Sequence, residues 1–219
     1  MEDSDVLSVV DGRVCRYSGD ATVLTLPDGI TAVGGEAFLD CLSLISVTIP
    51  EGVTLIGRRA FSGCTALSLL RLPSTLSTLG EKAFSRCRKL AELILPQGIT
   101  QLPRRALSHC SHLESLLLPN GLLEIGELAL SGCRHLTELT LPSSLRSIGD
   151  RAFRRCHALE EIEIPAAVSE IGHAVFEDCK GLRRVYVHHK ETAGILKKQF
   201  GLFSKTRVIL LDAPAAERS

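Results

Sequence analysis

The sequence predicts an α/β repeat solenoid: a right-handed coil with a parallel β-sheet along one wall, short helices on the opposite wall, and a cap at each end. The first observation is a period of 23 residues that runs along most of the 219-residue chain. The second is that one cysteine and one proline recur in register with this period. The cysteines are Cys41, Cys64, Cys87, Cys110, Cys133, Cys156 and Cys179, and the prolines are Pro27, Pro50, Pro73, Pro96, Pro119, Pro142 and Pro165. A single unit cannot bury its own inward side chains, so the units must stack to form a core.

Within each unit, an alternating apolar segment ends at the proline. Leu139 and Leu141 alternate with polar neighbours, which is the period of a strand. Pro142 cannot donate to a ladder, so the strand ends there, and Gly149 permits a sharp corner. The next apolar residues have helical spacing and predict a short helix; they are Ala152, Phe153, Cys156 and Leu159. Eight such rungs, about 4.8 Å apart, would form a sheet roughly 34 Å long.

The repeated pattern Ile-Gly-x-x-Ala-Phe-x-x-Cys-x-x-Leu-x-x-Ile-x-Ile-Pro resembles the BspA-type leucine-rich repeat family. The resemblance covers residues 13–187, and its copies depart from the pattern at Pro103, Leu107, Leu130 and Val175. It implies a leucine-rich-repeat coil in a bacterial or microbial-eukaryote protein. For many members it also implies adhesion of the cell surface to host proteins.

The ends of the chain depart from the repeat, which predicts four parts. Residues 1–20 form an N-terminal capping hairpin around Asp11 and Gly12, a pair suited to a type I′ turn. Residues 21–187 form the solenoid. Residues 188–212 form a C-terminal cap with a helix over 190–200 and a strand over 206–211, and residues 213–219 form a disordered tail.

Composition narrows the class of protein. The 25 basic and 25 acidic residues balance, so no overall field favours nucleic acid. No apolar run is long enough to span a membrane, and Met1 is followed by acidic residues, without the basic and apolar regions of a secretory signal. The residues present therefore predict a cytoplasmic protein, or a cell-surface or secreted one if an export signal was removed. The oligomeric state is left open.

The cysteines predict packing, with no disulfide, metal or cofactor. Seven of them occupy one inward column with parallel side chains, whereas a disulfide needs converging Cβ atoms, and no Cys-x-x-Cys pair is present. Cys15 lies outside this column and is expected to be exposed. The motif His109-Cys110-Ser111-His112 looks like a nucleophile with a base, but the pattern turns Cys110 inward and both histidines outward. We therefore expect no enzymatic activity.

The outward columns of the sheet are the predicted partner-binding face. An apolar cluster with an acidic zone beside it is typical of a protein-binding surface, although scattered exposed leucines are also ordinary. The predicted residues are Leu69, Arg71, Glu92, Ile94, Leu117, Glu138, Glu161, Glu163 and Tyr186. The sequence thus predicts a non-catalytic scaffold that binds a protein, with an exported adhesin for a host protein as the alternative.

The wall opposite the sheet is rich in basic residues, and this pattern suggests a third possible function. Docking to an anionic surface is one interpretation, and a solubilising face that keeps repeats from associating is the other. Nucleic acid is not expected, because few aromatic side chains are available to stack on bases. The candidate residues are Arg58, Arg59, Arg104, Arg105, Arg154 and Arg155.

Overall fold

The chain alternates very short strands with turns. The computed structural model describes residues 6–200 and 205–211, which wind into a solenoid of about eight turns. In chain order the elements are β1 (Val6–Val10), β2 (Arg13–Ser18), β3 (Val23–Thr25), β4 (Ala32–Val33), β5 (Ser46–Thr48), β6 (Leu55–Ile56), β7 (Leu69–Arg71), β8 (Thr78–Leu79), β9 (Glu92–Ile94), β10 (Gln101–Leu102), β11 (Ser115–Leu117), β12 (Glu124–Ile125), β13 (Ser147–Ile148), β14 (Glu161–Ile164), β15 (Glu170–Ile171), β16 (Arg184–Val187), α1 (Lys190–Phe200) and β17 (Arg207–Leu210).

Two parallel ladders run along the stack, whereas the sequence predicts one parallel sheet from the alternating segment. The first, which we call the sheet face, consists of β3-β5-β7, β9-β11 and β14-β16-β17. The second consists of β2-β4-β6-β8 and β10-β12-β13-β15, with β1 added at its end. Strand partners within the repeats of both ladders are 23 residues apart, for example Val47 and Leu70, whereas β2 of the hairpin pairs with β4 in a different register, Val14 with Val33. The period of the sequence is therefore the period of the coil.

The second ladder is interrupted where proline replaces glycine at the corner. In neighbouring coils, the N–H of Gly80 donates to the carbonyl of Ile56 at 2.7 Å, and that of Gly126 donates to Leu102 at 2.8 Å. Pro103 occupies the equivalent position and has no N–H to donate. The ladder consequently divides between β8 and β10.

The opposite wall is built from turns, so the prediction of short helices there is wrong. Amides in this wall alternate: Ser62 donates within its own coil to Arg59 at 3.0 Å, whereas Arg59 donates to Glu81 of the next coil at 2.9 Å. A helix would use every amide internally. Two residues per coil also have positive φ, at 56° for Arg59 and 82° for Gly63, which a right-handed helix does not allow. We call residues 58–63 and their equivalents in the other coils the turn wall.

The core is a set of columns that run through every coil. Phe38 stacks on Phe61 with ring centroids 4.8 Å apart, and Phe153 stacks on Phe176 at 5.3 Å. Phe61 also stacks on Phe84 at 5.9 Å, and leucine replaces phenylalanine in the two coils between Phe84 and Phe153. The five central cysteines of the predicted inward column are fully buried, and the terminal two, Cys41 and Cys179, are half-buried.

Both ends of the stack are extended by residues outside the repeat. The predicted hairpin is present: β1 pairs antiparallel with β2, the turn residues Asp11 and Gly12 both have positive φ, and the ring of Tyr17 lies 5.5 Å from that of Phe38. At the other end, the predicted helix and strand are present as α1 and β17, and β17 adds a parallel rung beside β16. The ring of Phe200 lies 6.1 Å from that of Phe176.

The division of the chain into caps and solenoid remains a prediction. The tail over 213–219 lies outside the described residues.

Candidate functional site

The sheet face carries the apolar cluster that the sequence predicts. Ile94 and Leu117 are directly opposed in the register of β9 and β11, and their exposed fractions are 67% and 57%. Leu69, on the neighbouring coil, is 48% exposed. Inward neighbours such as Leu93 and Leu116 are buried, because successive side chains of a strand point to opposite faces. The alternation of side chains along each strand thus determines which of them reach the surface.

The other predicted residues of this face are also accessible. Tyr186 is half-buried, and the following are exposed: Arg71, Glu92, Glu138, Glu161 and Glu163. The hydroxyl of Tyr186 donates to Oε2 of Glu161 at 3.1 Å, and Arg184 forms an ion pair with the same carboxylate. Nε2 of His188 lies 2.8 Å from Oε1 of Glu163. Of the four glutamates, Glu161 and Glu163 therefore have partners from the next rung, whereas Glu92 and Glu138 form no ion pair with any described residue.

A cleft of about 990 Å³ opens in the acidic part of the sheet face. Residues 138–140 join β11 only through an isolated bridge between Ser115 and Glu138, and among the described residues they form no ladder with β14. Residues from both separated segments, 137–143 and 158–166, line the cleft. Its lining includes the apolar side chains Leu139, Leu141 and Ile162 and the polar side chains Glu138, Glu161, Glu163, Tyr186 and His188.

Sequence reasoning did not find this cleft. The consensus residues Leu136, Leu139 and Leu141 are all present at the interrupted rung, so the repeat pattern gives no signal that the strands separate here. His188 also lines the cleft, and it is not among the residues that the sequence predicts for the partner-binding face.

The turn wall is basic, but most of its predicted arginines are already paired. The four with ion pairs bind carboxylates of adjacent coils: Arg59 with Glu36 at 2.7 Å, Arg104 with Glu127 at 3.1 Å, Arg154 with Glu177 at 3.2 Å and Arg155 with Asp178 at 3.3 Å. Arg58 and Arg105 form no ion pair with the described residues. Simple counting of arginines therefore overstates the charge that this wall offers to a ligand.

A groove of about 480 Å³ runs along the turn wall, and we call it the basic groove. A column of serines lies in its lining at intervals of one period: Ser62, Ser85, Ser108 and Ser131. The basic side chains that line it are Arg59, Lys82, Arg86, Arg105, His109 and Arg154. The serine recurrence is visible in the sequence, because serine is the residue after the core phenylalanine or leucine in the four central coils. The remaining three coils have Leu39, Arg154 and Glu177 at this position.

The motif around Cys110 does not assemble a nucleophile and base. Sγ of Cys110 lies 3.1 Å from the carbonyl oxygen of Phe84 and is buried, and burial raises the pKa of this thiol to about 12. His109 lines the basic groove, and His112 stacks on His135 with ring centroids 5.2 Å apart. No group of three or more metal-ligating side chains occurs within residues 6–200 and 205–211.

Comparison with known proteins supplies the family and the fold. The chain matches the family described as BspA type Leucine rich repeat region in six copies, over residues 12–127 and 100–209. A leucine-rich repeat protein of T. pallidum, TpLRR, is 29% identical, with a TM-score of 0.71 and coverage of 91% of each chain. Comparison with curated proteins finds no match.

Two further structures share the fold at lower identity. A leucine-rich repeat protein of Bacteroides ovatus is 22% identical, with a TM-score of 0.52 over 88% of this chain and 66% of that chain. A leucine-rich cell surface protein of Faecalibacterium prausnitzii is 17% identical, with a TM-score of 0.51 over 99% of this chain and 95% of that chain. In the described part of this chain, no helix has the length and apolar character needed to cross a membrane.

Proposed function

Because the chain belongs to the BspA type leucine-rich repeat family, we propose that it is a non-catalytic scaffold that binds a protein partner through the sheet face. The observation that carries this proposal is the exposed pair Ile94 and Leu117 on adjacent paired strands. Burial of apolar surface of this kind stabilises a complex by about 25 cal/mol per Å² before the costs of association are subtracted.

The acidic cleft extends this surface and indicates the chemistry of the partner. Glu138 has no described ion-pair partner, and it stands with Glu161 and Glu163 around apolar side chains. A complementary segment would present an apolar side chain to Ile94 and Leu117 and a basic side chain to the cleft. The apolar contacts would anchor the complex, and the carboxylates would set its orientation and association rate.

The test is a double variant, Ile94→Asp with Leu117→Asp. Both positions are exposed, so we expect the variant to remain folded and to lose the partner in quantitative affinity capture from the source cells. Val23→Asp is a control for the substitution itself, since Val23 is also 67% exposed on the same face but lies three rungs from Ile94 and four from Leu117. Equal capture by wild type and double variant would remove this face from consideration.

An exported adhesin that uses the same face for a host protein is the second candidate. One structure that shares the fold is described as a cell surface protein, and the family resemblance points in the same direction. Protease treatment of intact source cells distinguishes the two, because only an exported protein would be digested.

A further inference from the structure

The basic groove is lined by a column of serine side chains, and three of the four hydroxyls form no hydrogen bond within the described residues. Ser62, Ser108 and Ser131 are 8%, 4% and 3% exposed, and none of these hydroxyls forms a hydrogen bond with a described residue. Ser85 differs, since its hydroxyl donates to the carbonyl of Ser108 at 3.3 Å. The one fully buried side-chain polar atom that lacks a hydrogen-bond partner among the described residues is Nε of Arg154, which also lines the groove. The three serine hydroxyls are therefore accessible from the groove, where they can donate to a ligand that brings acceptor oxygens.

The cations around these hydroxyls are available for such a ligand. Lys82, Arg86 and Arg105 form no ion pair within the described part of the chain, and no carboxylate is among the groove's lining residues. Burial is the main cause that lowers the pKa of His109 below its ordinary value of 6.5, and the nearby charges of Arg86 and Arg134 lower this pKa further.

The spacing of the cations favours a ligand with several charges in a row. Lys82 and Arg105 occupy the same position in consecutive coils, as do Arg86 and His109, and consecutive rungs of parallel strands are about 4.8 Å apart. A single phosphate would reach one of these levels, whereas a short chain of phosphates would span them. The groove volume of about 480 Å³ suits a small ligand. Its lining contains no phenylalanine, tyrosine or tryptophan on which a base would stack.

We propose that the basic groove binds a linear oligophosphate, with Lys82, Arg86 and Arg105 neutralising its charge and the serine hydroxyls donating to its oxygens. Guanidinium groups and hydroxyls are geometrically suited to tetrahedral oxyanions. The site lies on the turn wall, so it is distinct from the sheet face proposed to bind protein. A phosphorylated ligand and a protein partner therefore have separate surfaces.

Calorimetry with tripolyphosphate tests the proposal in the full chain at low ionic strength. We expect one ligand per chain, with orthophosphate at least tenfold weaker. Lys82→Gln with Arg105→Gln should weaken tripolyphosphate binding at least tenfold. Arg16→Gln with Arg146→Gln is the control, since it removes the same charge at exposed positions outside the groove and should change affinity less than twofold. No binding by wild type, or equal losses in both double variants, would overturn the proposal.

Ser108→Ala provides a second readout that does not depend on net charge. The hydroxyl has no protein partner, so its removal should leave the melting temperature unchanged or slightly raised while weakening tripolyphosphate several-fold. Unchanged affinity in this variant would contradict the role assigned to the serine column. Binding to vesicles that contain phosphoinositide without binding to tripolyphosphate would also overturn the proposal, in favour of a membrane surface.

Discussion

At the residue scale, the cysteine column shows how one type of side chain fills the same buried position in successive coils. From Cys64 onward, each thiol of the column lies against the carbonyl of the residue 26 positions earlier, for example Cys64 to Phe38 at 3.0 Å and Cys179 to Phe153 at 2.9 Å. Cysteine is small enough to lie in the inward column and supplies a weak donor to a carbonyl of the preceding coil. The sequence predicts the burial because the period places these residues with the core leucines. The contact between each thiol and a carbonyl of the preceding coil cannot be predicted from the period and is visible only in the three-dimensional structure.

The exposure of the thiols predicts three classes of reactivity. Of the eight cysteines, Cys15 should react at once, Cys41 and Cys179 slowly, and the five buried thiols only on unfolding. Burial keeps the buried thiols protonated at neutral pH, and the thiolate is the reactive form. Alkylation followed by mass spectrometry, with and without guanidinium, measures these classes. Rapid native labelling of Cys110 would contradict the buried column.

At the scale of the element, the turn wall is the region for which the sequence predicts helices and the structure has turns. The spacing of Ala, Phe, Cys and Leu fits a helix and a run of turns equally well, because both bring these side chains to one face. A weak signal exists at the second positive-φ position, which is Asp40, Gly63, Gly132 or Asp178 in four of the coils, and these residue types tolerate that conformation. The other coils have arginine or histidine there, so the signal is easily missed.

Leu128, with φ of 56°, gives a direct test of turn against helix. We expect Leu128→Gly to be more stable than Leu128→Ala by about 1 kcal/mol, because glycine accepts positive φ without strain and alanine does not. In a helix the order would be reversed by a similar amount. Urea denaturation of the two variants measures the difference, and the removal of the leucine side chain is common to both.

At the scale of the whole molecule, the surface features arise from contacts between neighbouring coils, and only some of these contacts can be predicted from the sequence. The sheet-face cluster follows from the period and strand parity, so Leu69, Ile94 and Leu117 are predictable from the sequence alone. The cleft beside Glu138 depends on the separation of two strands, and the basic groove depends on which arginines find carboxylates in adjacent coils. The repeat pattern predicts the spacing of the groove's serines and cations, but it predicts neither the separation of the strands nor the ion pairs, so these two features require the three-dimensional structure.

A stack held together by neighbours should accept the removal of one whole unit. Deletion of residues 105–127 removes one period, and we expect a cooperative thermal transition with a modestly lower melting temperature, measured by circular dichroism. Deletion of 105–126 leaves one extra residue, Glu127, in a turn wall whose amides alternate between local and inter-coil bonds. This variant should melt at a lower temperature than the first. A higher melting temperature for it would show that the register of the wall does not stabilise the stack.

The chain contains no tryptophan and two tyrosines, and these lie at opposite ends of the stack. Tyr17 lies beside Phe38, and the hydroxyl of Tyr186 is bonded to Glu161. The tyrosine fluorescence of this protein therefore comes from its two ends alone. Replacing either tyrosine with phenylalanine would leave an emission signal from the other terminus, so fraying of each end is separately observable by optical spectroscopy without an added dye.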